Sequence, residues 1–171
     1  MSDVIDDFAY GFRNSQQGET FLLSHSLKVS TKLIRKKTKN ENIKLTVDRD
    51  EKLSIYGSKS KFIQLIIVLL SNAIEVFQAN KQKEPQIRIS AEIKDDKTEI
   101  DIFNTGAGIP DDVLIHIFDA FFSTKRKDKN TELELTLAKK IIEENLRGTI
   151  EAVNRKDGVS FIIHLPVVRS G

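Results

Sequence analysis

The sequence of 171 residues contains no cysteine and no tryptophan, and it has only three prolines. The absence of cysteine excludes disulfide bonds, thiolate metal ligands and cysteine nucleophiles. The chain also has no large excess of charge of either sign. It contains 27 lysines and arginines and 25 aspartates and glutamates, which gives a net charge of +2. So small an imbalance provides no strong general attraction to nucleic acid or to an anionic membrane. We therefore predict neither as a partner of this chain.

Long apolar runs and a secretory signal are missing too. The longest apolar run, at residues 65–70, is far shorter than the roughly 20 residues that span a bilayer. A signal peptide requires a basic segment followed by an apolar one, and the first residues, M-S-D-V, are neither. The composition, with 39% hydrophobic and 30% charged residues, is that of an ordinary globular domain. We expect a cytoplasmic location.

Hydrophobic periodicity predicts both helices and strands. Apolar residues at helical spacing indicate helices at about residues 5–12, 19–37, 60–77 and 133–145. Alternation with period two indicates strands at about residues 43–47, 53–57, 86–93, 97–103, 148–153 and 159–165. This order predicts an α+β two-layer sandwich, in which about three helices cover one face of a mixed, mostly antiparallel β-sheet.

One asparagine interrupts the most apolar of these helices. The predicted helix at residues 60–77 is apolar nearly all round, which favours a central place in the core. Asn72 is a polar side chain in this apolar stretch. Taken alone, it has two interpretations: a functional amide, or a core amide whose hydrogen bonds are satisfied internally.

Two further segments contain unusual residue types. Residues 103–110, F-N-T-G-A-G-I-P, follow a predicted strand directly and contain a G-x-G turn at Gly106 and Gly108. Residues 117–125, I-F-D-A-F-F-S-T-K, lead into a polar loop and the next helix. Any tight turn would account for the glycines, and plain core packing would account for the two phenylalanines, when each segment is considered separately.

In this order and at this spacing, the three segments resemble the ATP-binding catalytic domain of sensor histidine kinases. That domain is part of a wider ATPase group that includes gyrase, the mismatch-repair ATPases and the heat-shock chaperone ATPase, and F-F-S-T-K is similar to the kinases within it. The resemblance covers about residues 15–167. It implies the Bergerat-type ATPase fold for residues 15–171, with residues 1–14 as the C-terminal end of the dimerisation helix.

The resemblance also implies a site for Mg-ATP or ADP. Asn72 would bind Mg²⁺ through its amide oxygen, the kind of ligand that a hard cation prefers. Asn104 would accept a hydrogen bond from the adenine amino group. Gly106 and Gly108 would let the backbone pass close to the base and phosphates without a Cβ atom.

Other residues are assigned by the same resemblance. Ser160, on the last strand pair, would support the adenine through water, and Lys125 would reach the γ-phosphate as a point charge. Phe121 and Phe122 would anchor the base of a mobile lid. No residue is predicted to be catalytic, and Asn72 is the one predicted metal ligand. The predicted nucleotide-binding residues are Asn72, Asn104, Gly106, Gly108, Ile109, Phe121, Phe122, Lys125, Leu133 and Ser160.

The chain departs from the family pattern where phosphates are expected. The family has a second glycine-rich box, G-x-G-L-G-L, and the matching residues 130–135 here are N-T-E-L-E-L. The family's glycines let N–H groups at a helix N-terminus hold phosphate, whereas Glu132 and Glu134 bring negative charge. At ~6 Å and an effective dielectric constant of ~20, each carboxylate–phosphate pair costs roughly 3 kcal/mol. An alternative interpretation is the ordinary preference for acids at a helix N-terminus.

Two more positions differ from the pattern. Asn104 occupies the position of the carboxylate that binds adenine, and Val68 stands where the family has asparagine or glutamate, one turn before Asn72. A neutral hydrogen bond contributes about 1 kcal/mol, against roughly 1.5–3 kcal/mol for one to a charged group. We expect nucleotide binding to be weakened or lost.

The sequence leaves two functions open. The first is the catalytic domain of a two-component sensor histidine kinase, which passes the γ-phosphate of Mg-ATP to a histidine on the dimerisation helix and acts with a response regulator receiver domain. The second is a non-catalytic pseudokinase scaffold that binds a response regulator or a partner kinase. His25, in S-H-S-L-K, resembles the phosphoacceptor sequence only superficially and is interpreted as an ordinary, partly exposed histidine. Either function suits the cytoplasmic part of a membrane-bound sensor.

Overall fold

The structure is a computed structural model. It describes residues 18–119 and 129–168, with the backbone alone for residues 129–134. The predicted helix at residues 5–12 lies outside the described residues. The described part forms β1 (Glu19–Leu22), α1 (Leu23–Asn40), β2 (Lys44–Arg49), β3 (Ser54–Gly57), α2 (Lys59–Asn80), β4 (Gln86–Lys94), β5 (Lys97–Thr105), α3 (Asp111–Leu114), α4 (Lys129–Asn145), β6 (Thr149–Arg155) and β7 (Gly158–Pro166).

Five strands form the main sheet, in the order β2-β4-β5-β7-β6. Strands β2 and β4 are parallel, and the other neighbours are antiparallel. Strands β1 and β3 form a separate antiparallel pair, so the strand predicted at residues 53–57 is not part of the main sheet. The predicted α+β class with a mixed, mostly antiparallel sheet is confirmed.

Helix α2 forms the centre of the core. It packs between α1 and α4, and its largest buried side chains include Phe62, Leu65 and Leu70, each fully inaccessible to solvent. Its first turn is capped by the Ser58 hydroxyl, which accepts a hydrogen bond from the backbone N–H of Lys61. Within the described residues, α2 is long and apolar enough to cross a membrane, but 61% of its apolar window is buried inside the fold. This is weak evidence for a membrane span, because core helices pass the same test.

The main sheet presents one face to these helices. Buried side chains alternate along β4 and β5, where Ile87, Ile89, Ile100 and Ile102 all join the core. Because successive side chains on a strand point to opposite faces, the residues between them lie on the other face, away from α2. The two-layer arrangement follows from this alternation.

Residues 19–22 form a strand, which corrects the prediction of a helix at residues 19–37. Strand β1 pairs with β3 so that Phe21 lies opposite Ile55. The Phe21 ring packs 5.7 Å from the ring of Phe62, measured between centroids. Pairing with β3 satisfies the backbone and buries Phe21 at the same time, and this tertiary gain outweighs the local helical pattern.

Candidate functional site

A cavity of ≈ 360 Å³ lies between α2, the loop after β5 and α4. This volume is within the range of about 300–1,000 Å³ that is usual for small-molecule sites. The residues that line it include five of the predicted set, Asn72, Asn104, Gly106, Gly108 and Ile109, which the structure therefore brings together. Apolar side chains complete the wall, with Val76, Ile117, Leu135, Val159 and Phe161 among them.

Asn72 places an unsatisfied amide oxygen in this cavity. The residue is only 5% exposed, and its Oδ1 atom is buried with no hydrogen-bond partner among the described residues. A buried polar atom left unpaired costs about 1–3 kcal/mol, so the interpretation of Asn72 as an internally satisfied core amide does not fit. The oxygen has no partner among the described residues, and an amide oxygen is a kind of ligand that Mg²⁺ binds in proteins.

Asn104 contributes a second amide to an otherwise apolar part of the wall. It follows Ile100 and Ile102 at the alternate, helix-facing positions of β5, and it is 8% exposed. Its backbone partner on β7 is Val159, which lines the same cavity. The Asn104 side chain is therefore a directional polar group beside an apolar surface that suits a planar base.

The loop after β5 depends on glycine at Gly106. This residue has φ +136°, a conformation that side-chain-bearing residues rarely adopt. Its N–H donates a hydrogen bond of 3.0 Å to the carbonyl of Asp157, in the turn between β6 and β7. This hydrogen bond holds the loop against the turn between β6 and β7.

Asn154, on β6, is a site residue that sequence reasoning missed. Its Oδ1 accepts a hydrogen bond of 2.8 Å from the backbone N–H of Ile109. Its Nδ2 donates one of 2.8 Å to the carbonyl of the same residue. A Cβ atom on Gly108 would lie 3.0 Å from Asn154 Oδ1, so the close approach of Asn154 explains why glycine suits that position. No local signal reveals the contact, because the partners are 45 residues apart.

Ser160 does not lie in the cavity, which corrects its predicted placement beside the adenine. Its neighbours Val159 and Phe161 line the cavity, whereas the Ser160 hydroxyl accepts a hydrogen bond of 3.1 Å from Arg155 Nε. Ser160 lines a separate polar pocket together with Arg88 and Asp101. The sequence alone could not establish which face of the sheet Ser160 occupies.

The remaining predicted residues are outside what the structure describes. Phe121, Phe122 and Lys125 lie beyond the described residues, and Leu133 belongs to α4 by its backbone alone. Leu135, one position beyond Glu134, is 2% exposed and lines the cavity. Val68 is partly buried against the core and does not line the cavity.

The electrostatics of the cavity constrain its ligand. Among the described residues that line it, none is a lysine, arginine or histidine, and Asp112 is the single charged one. The described residues also contain no cluster of three or more histidines, aspartates or glutamates that would hold a metal ion. A polyphosphate would thus bring its own cation, and Asn72 would complete the coordination of that cation without providing a full metal site.

Comparison with known proteins agrees with this geometry. A sequence model described as histidine kinase-, DNA gyrase B-, and HSP90-like ATPase matches residues 57–169, which include the whole cavity wall. The chain belongs to this ATPase family. Among solved structures, the nucleotide-free catalytic domain of histidine kinase ThkA is similar, with a TM-score of 0.77 and 28% identity over 90% of this chain and 99% of that one. This family member is thus a histidine-kinase-type catalytic domain.

Similar sequences occur in bacterial sensors. The two-component sensor PprA of Pseudomonas aeruginosa is 28% identical over 68% of this chain, and sensor protein FixL of Bradyrhizobium diazoefficiens is 27% identical over 74%. The chain spans 13% and 24% of the lengths of these two proteins. A structure of ThkA in complex with the response regulator protein TrrA also matches, with a TM-score of 0.73 and 25% identity over 96% of this chain and 47% of that one.

Proposed function

We propose that the cavity beside Asn72 binds Mg-ATP or Mg-ADP as the nucleotide site of a histidine kinase. The observation that carries the proposal is the buried Asn72 Oδ1 atom without a hydrogen-bond partner among the described residues, in a cavity that also contains Asn104 and the Gly106–Gly108 turn. Because the chain belongs to a family of ATPases, a nucleotide is the expected class of ligand. Residues 15–171 would form this domain, and residues 1–14 would be the end of the dimerisation helix.

Each side chain has a defined part in this binding. Asn72 Oδ1 would hold the metal ion, and Asn104 would accept a hydrogen bond from the adenine amino group. The loop from Gly106 to Ile109, held by Asn154 and by the Asp157 carbonyl, would position the base between Val159 and the loop backbone. When bound, Mg²⁺ supplies the charge neutralisation that phosphoryl transfer requires.

We further propose that this binding is weak. The described wall offers no cationic side chain to the phosphates, and the sequence at the start of α4 contains Glu132 and Glu134 where the family has glycines. Asn104 provides a neutral acceptor where a carboxylate would be stronger by about 1 kcal/mol. These differences all reduce affinity.

The proposed function of this domain also suggests a function for the whole protein. The nucleotide would donate its γ-phosphate to a histidine on the dimerisation helix, and a response regulator receiver domain would be the downstream partner. The protein would act in the cytoplasm, or as the cytoplasmic part of a membrane-bound sensor. A non-catalytic scaffold is the second candidate, and the observation that favours it is the lack of cationic side chains in the described cavity wall.

Isothermal titration calorimetry with Mg-ATP, Mg-ADP and metal-free ATP tests the proposal. We expect measurable binding in the presence of Mg²⁺ and a loss of roughly tenfold or more for Asn72→Ala, because the metal loses its protein ligand. Ser160→Ala is the matched control, since Ser160 lies outside the cavity, and it should bind like the parent chain. No heat from either nucleotide with a folded chain would overturn nucleotide binding and favour the scaffold.

A further inference from the structure

A second concave surface lies between α1 and β2, and it shares no lining residue with the nucleotide cavity. Four basic residues of α1 form one side, and the apolar side chains of β2 form the floor, around a volume of ≈ 380 Å³. We call this surface the basic groove and define it by Lys28, Lys32, Arg35, Lys39, Leu45 and Val47.

The basic residues of the groove form a single row. Lys28, Lys32, Arg35 and Lys39 are spaced by four, three and four residues, which places them on one face of α1. All four are exposed, and none forms an ion pair or a side-chain hydrogen bond with another described residue. No acidic residue is among the described residues that line the groove. The row is thus a concentrated positive charge without a counter-charge in this part of the chain.

The floor of the groove is an unpaired sheet edge. Among the described strands, β2 is the outermost of the main sheet, and its one neighbour is β4. The N–H of Lys44 donates to the carbonyl of Pro85 on the β4 side. Because backbone groups alternate along a strand, the N–H and carbonyl groups of Leu45 and Val47 point to the free edge. An exposed edge of this kind is a template for another strand.

We propose that the basic groove binds an extended, acidic segment of a partner protein. The segment would pair with the free edge of β2 through its backbone, and its alternate side chains would enter the groove beneath the row of cations. The lengths agree, since the 11 residue steps from Lys28 to Lys39 rise about 16 Å along a helix. The six residues of β2 extend over roughly the same distance.

A protein segment suits this surface better than nucleic acid does. No aromatic residue is among the described residues that line the groove, so this part of the chain offers bases no side chain on which to stack. The floor is apolar, and the edge offers backbone donors and acceptors, which are the groups that a β-strand uses. The inference does not depend on the nucleotide, because the two cavities are separate.

A peptide-binding experiment with the full chain tests the proposal. The probe is a fluorescent, end-blocked peptide of about eight residues that alternates glutamate and valine, and binding is followed by anisotropy without nucleotide. One comparison peptide has glutamine in place of glutamate. A second keeps the charges but has alternate backbone nitrogens methylated, which removes the donors that strand pairing needs. We expect both comparison peptides to bind at least roughly tenfold more weakly.

Charge-reversal variants locate the site. K32E/R35E should weaken binding of the acidic peptide by roughly tenfold or more, because repulsion replaces attraction in the groove. The matched control, K83E/K94E, makes the same charge change at exposed lysines outside the groove and should have a much smaller effect. In NMR titrations, the amide signals of Leu45 and Val47 should shift.

Several results would overturn the proposal. Equal losses in the two variants would indicate general electrostatic attraction, and equal binding of the methylated peptide would exclude strand pairing. Tighter binding of a single-stranded oligonucleotide than of the acidic peptide, with loss in K32E/R35E, would identify a nucleic-acid surface instead. No detectable binding of the acidic peptide to the folded parent chain would also contradict the proposal.

Discussion

At the scale of single residues, two asparagines have complementary parts in the cavity. Asn72 leaves its amide oxygen without a partner among the described residues, and Asn154 uses both ends of its amide to hold the backbone of Ile109. We propose the first as a binding group, and the second positions the loop after β5. The sequence pattern indicates Asn72, because it is a polar residue in an apolar helix. Asn154 lies on an edge strand that contains other polar residues, so an asparagine there does not stand out in the sequence.

The contact between Asn154 and Gly108 leads to a double-mutant prediction. Asn154→Ala removes two hydrogen bonds and should lower the free energy of unfolding by roughly 1–2 kcal/mol. Gly108→Ala places a Cβ atom 3.0 Å from Asn154 Oδ1, so it should destabilise the parent chain. The same glycine substitution should cost less in the Asn154→Ala background, because the crowding atom is gone.

Urea unfolding of the four proteins measures this coupling, and hydrogen exchange at the Ile109 amide reports on the loop. Exchange should accelerate in Asn154→Ala, since the N–H loses its acceptor. Strictly additive changes in the free energy of unfolding, or an unchanged exchange rate at the Ile109 amide, would contradict the contacts that Asn154 makes with residues 108 and 109.

His25 leads to a prediction of pH dependence. Burial lowers the pKa of His25 from its usual value of 6.5, and the positive charges of Lys59 and Lys28 lower it further. The unfolded chain therefore binds this proton more tightly than the folded chain does. Above pH 6.5 both forms are neutral and the residue has no effect, whereas stability falls as the pH decreases from 6.5 through the lowered pKa.

His25→Gln removes this loss of stability on the acid side. The stability of the variant relative to the parent chain should rise as the pH is lowered from about 7 to about 5, measured by urea unfolding at several pH values. Lys59→Met should reduce the acid-side loss in part, because one of the repelling charges is removed. A constant difference between His25→Gln and the parent chain across this range would refute the assignment.

At the scale of secondary-structure elements, the start of α4 contains the residues that we predict to weaken phosphate binding. The helix begins at Lys129, and residues 130–135 read N-T-E-L-E-L in place of the family's glycine-rich box. Helix N-termini favour anions, so we expect the carboxylates of Glu132 and Glu134 to oppose a phosphate at this end. The element is a helix, and Leu135 is buried and lines the cavity.

Replacing Asn130, Glu132 and Glu134 with glycine should strengthen Mg-ATP binding. We expect a gain of roughly 1–3 kcal/mol after solvent screening, or about one to two decades in affinity. This gain should exceed that of Asn104→Asp or Val68→Asn alone. Calorimetry gives the affinities, and the free energy of unfolding should fall in the triple variant, because each glycine costs about 1 kcal/mol in a helix.

Glu132→Gln with Glu134→Gln separates the two contributions to that gain. The glutamine pair removes the negative charges but keeps the side-chain volume, so it should recover part of the affinity. If the glycine variant binds no better than the parent chain, the defect lies elsewhere in the cavity, with Val68 as the next position to change.

At the scale of the whole molecule, the fold forms two separate concave surfaces that share no lining residue. One is the cavity between α2, α4 and the loop after β5, and the other is the basic groove between α1 and β2. The family relationship rests on residues 57–169, which include the first surface but not α1. All the described residues that line the basic groove thus lie outside the region that the family model matches.

The amino-acid sequence by itself determined the fold class, the family and five residues of the cavity wall. Period-two and helical patterns predicted the strands from β2 onward and the helices α2 and α4, because alternating burial on a sheet and on a helix imposes those periods. Asn104, Gly106 and Gly108 were assigned through the resemblance to histidine kinase catalytic domains, which rests on motifs that lie within a few positions of one another. Local information was sufficient for these features.

Only the tertiary structure decided the features that depend on distant partners. Strand β1 exists because β3 pairs with it, although residues 19–22 fit a helical pattern. Ser160 and Val159 occupy opposite faces because the strands around them establish which side the helices cover. Asn154 joins the site through a residue 45 positions away. Such contacts depend on pairing and packing between separate segments, and a single sequence contains no local period that records them.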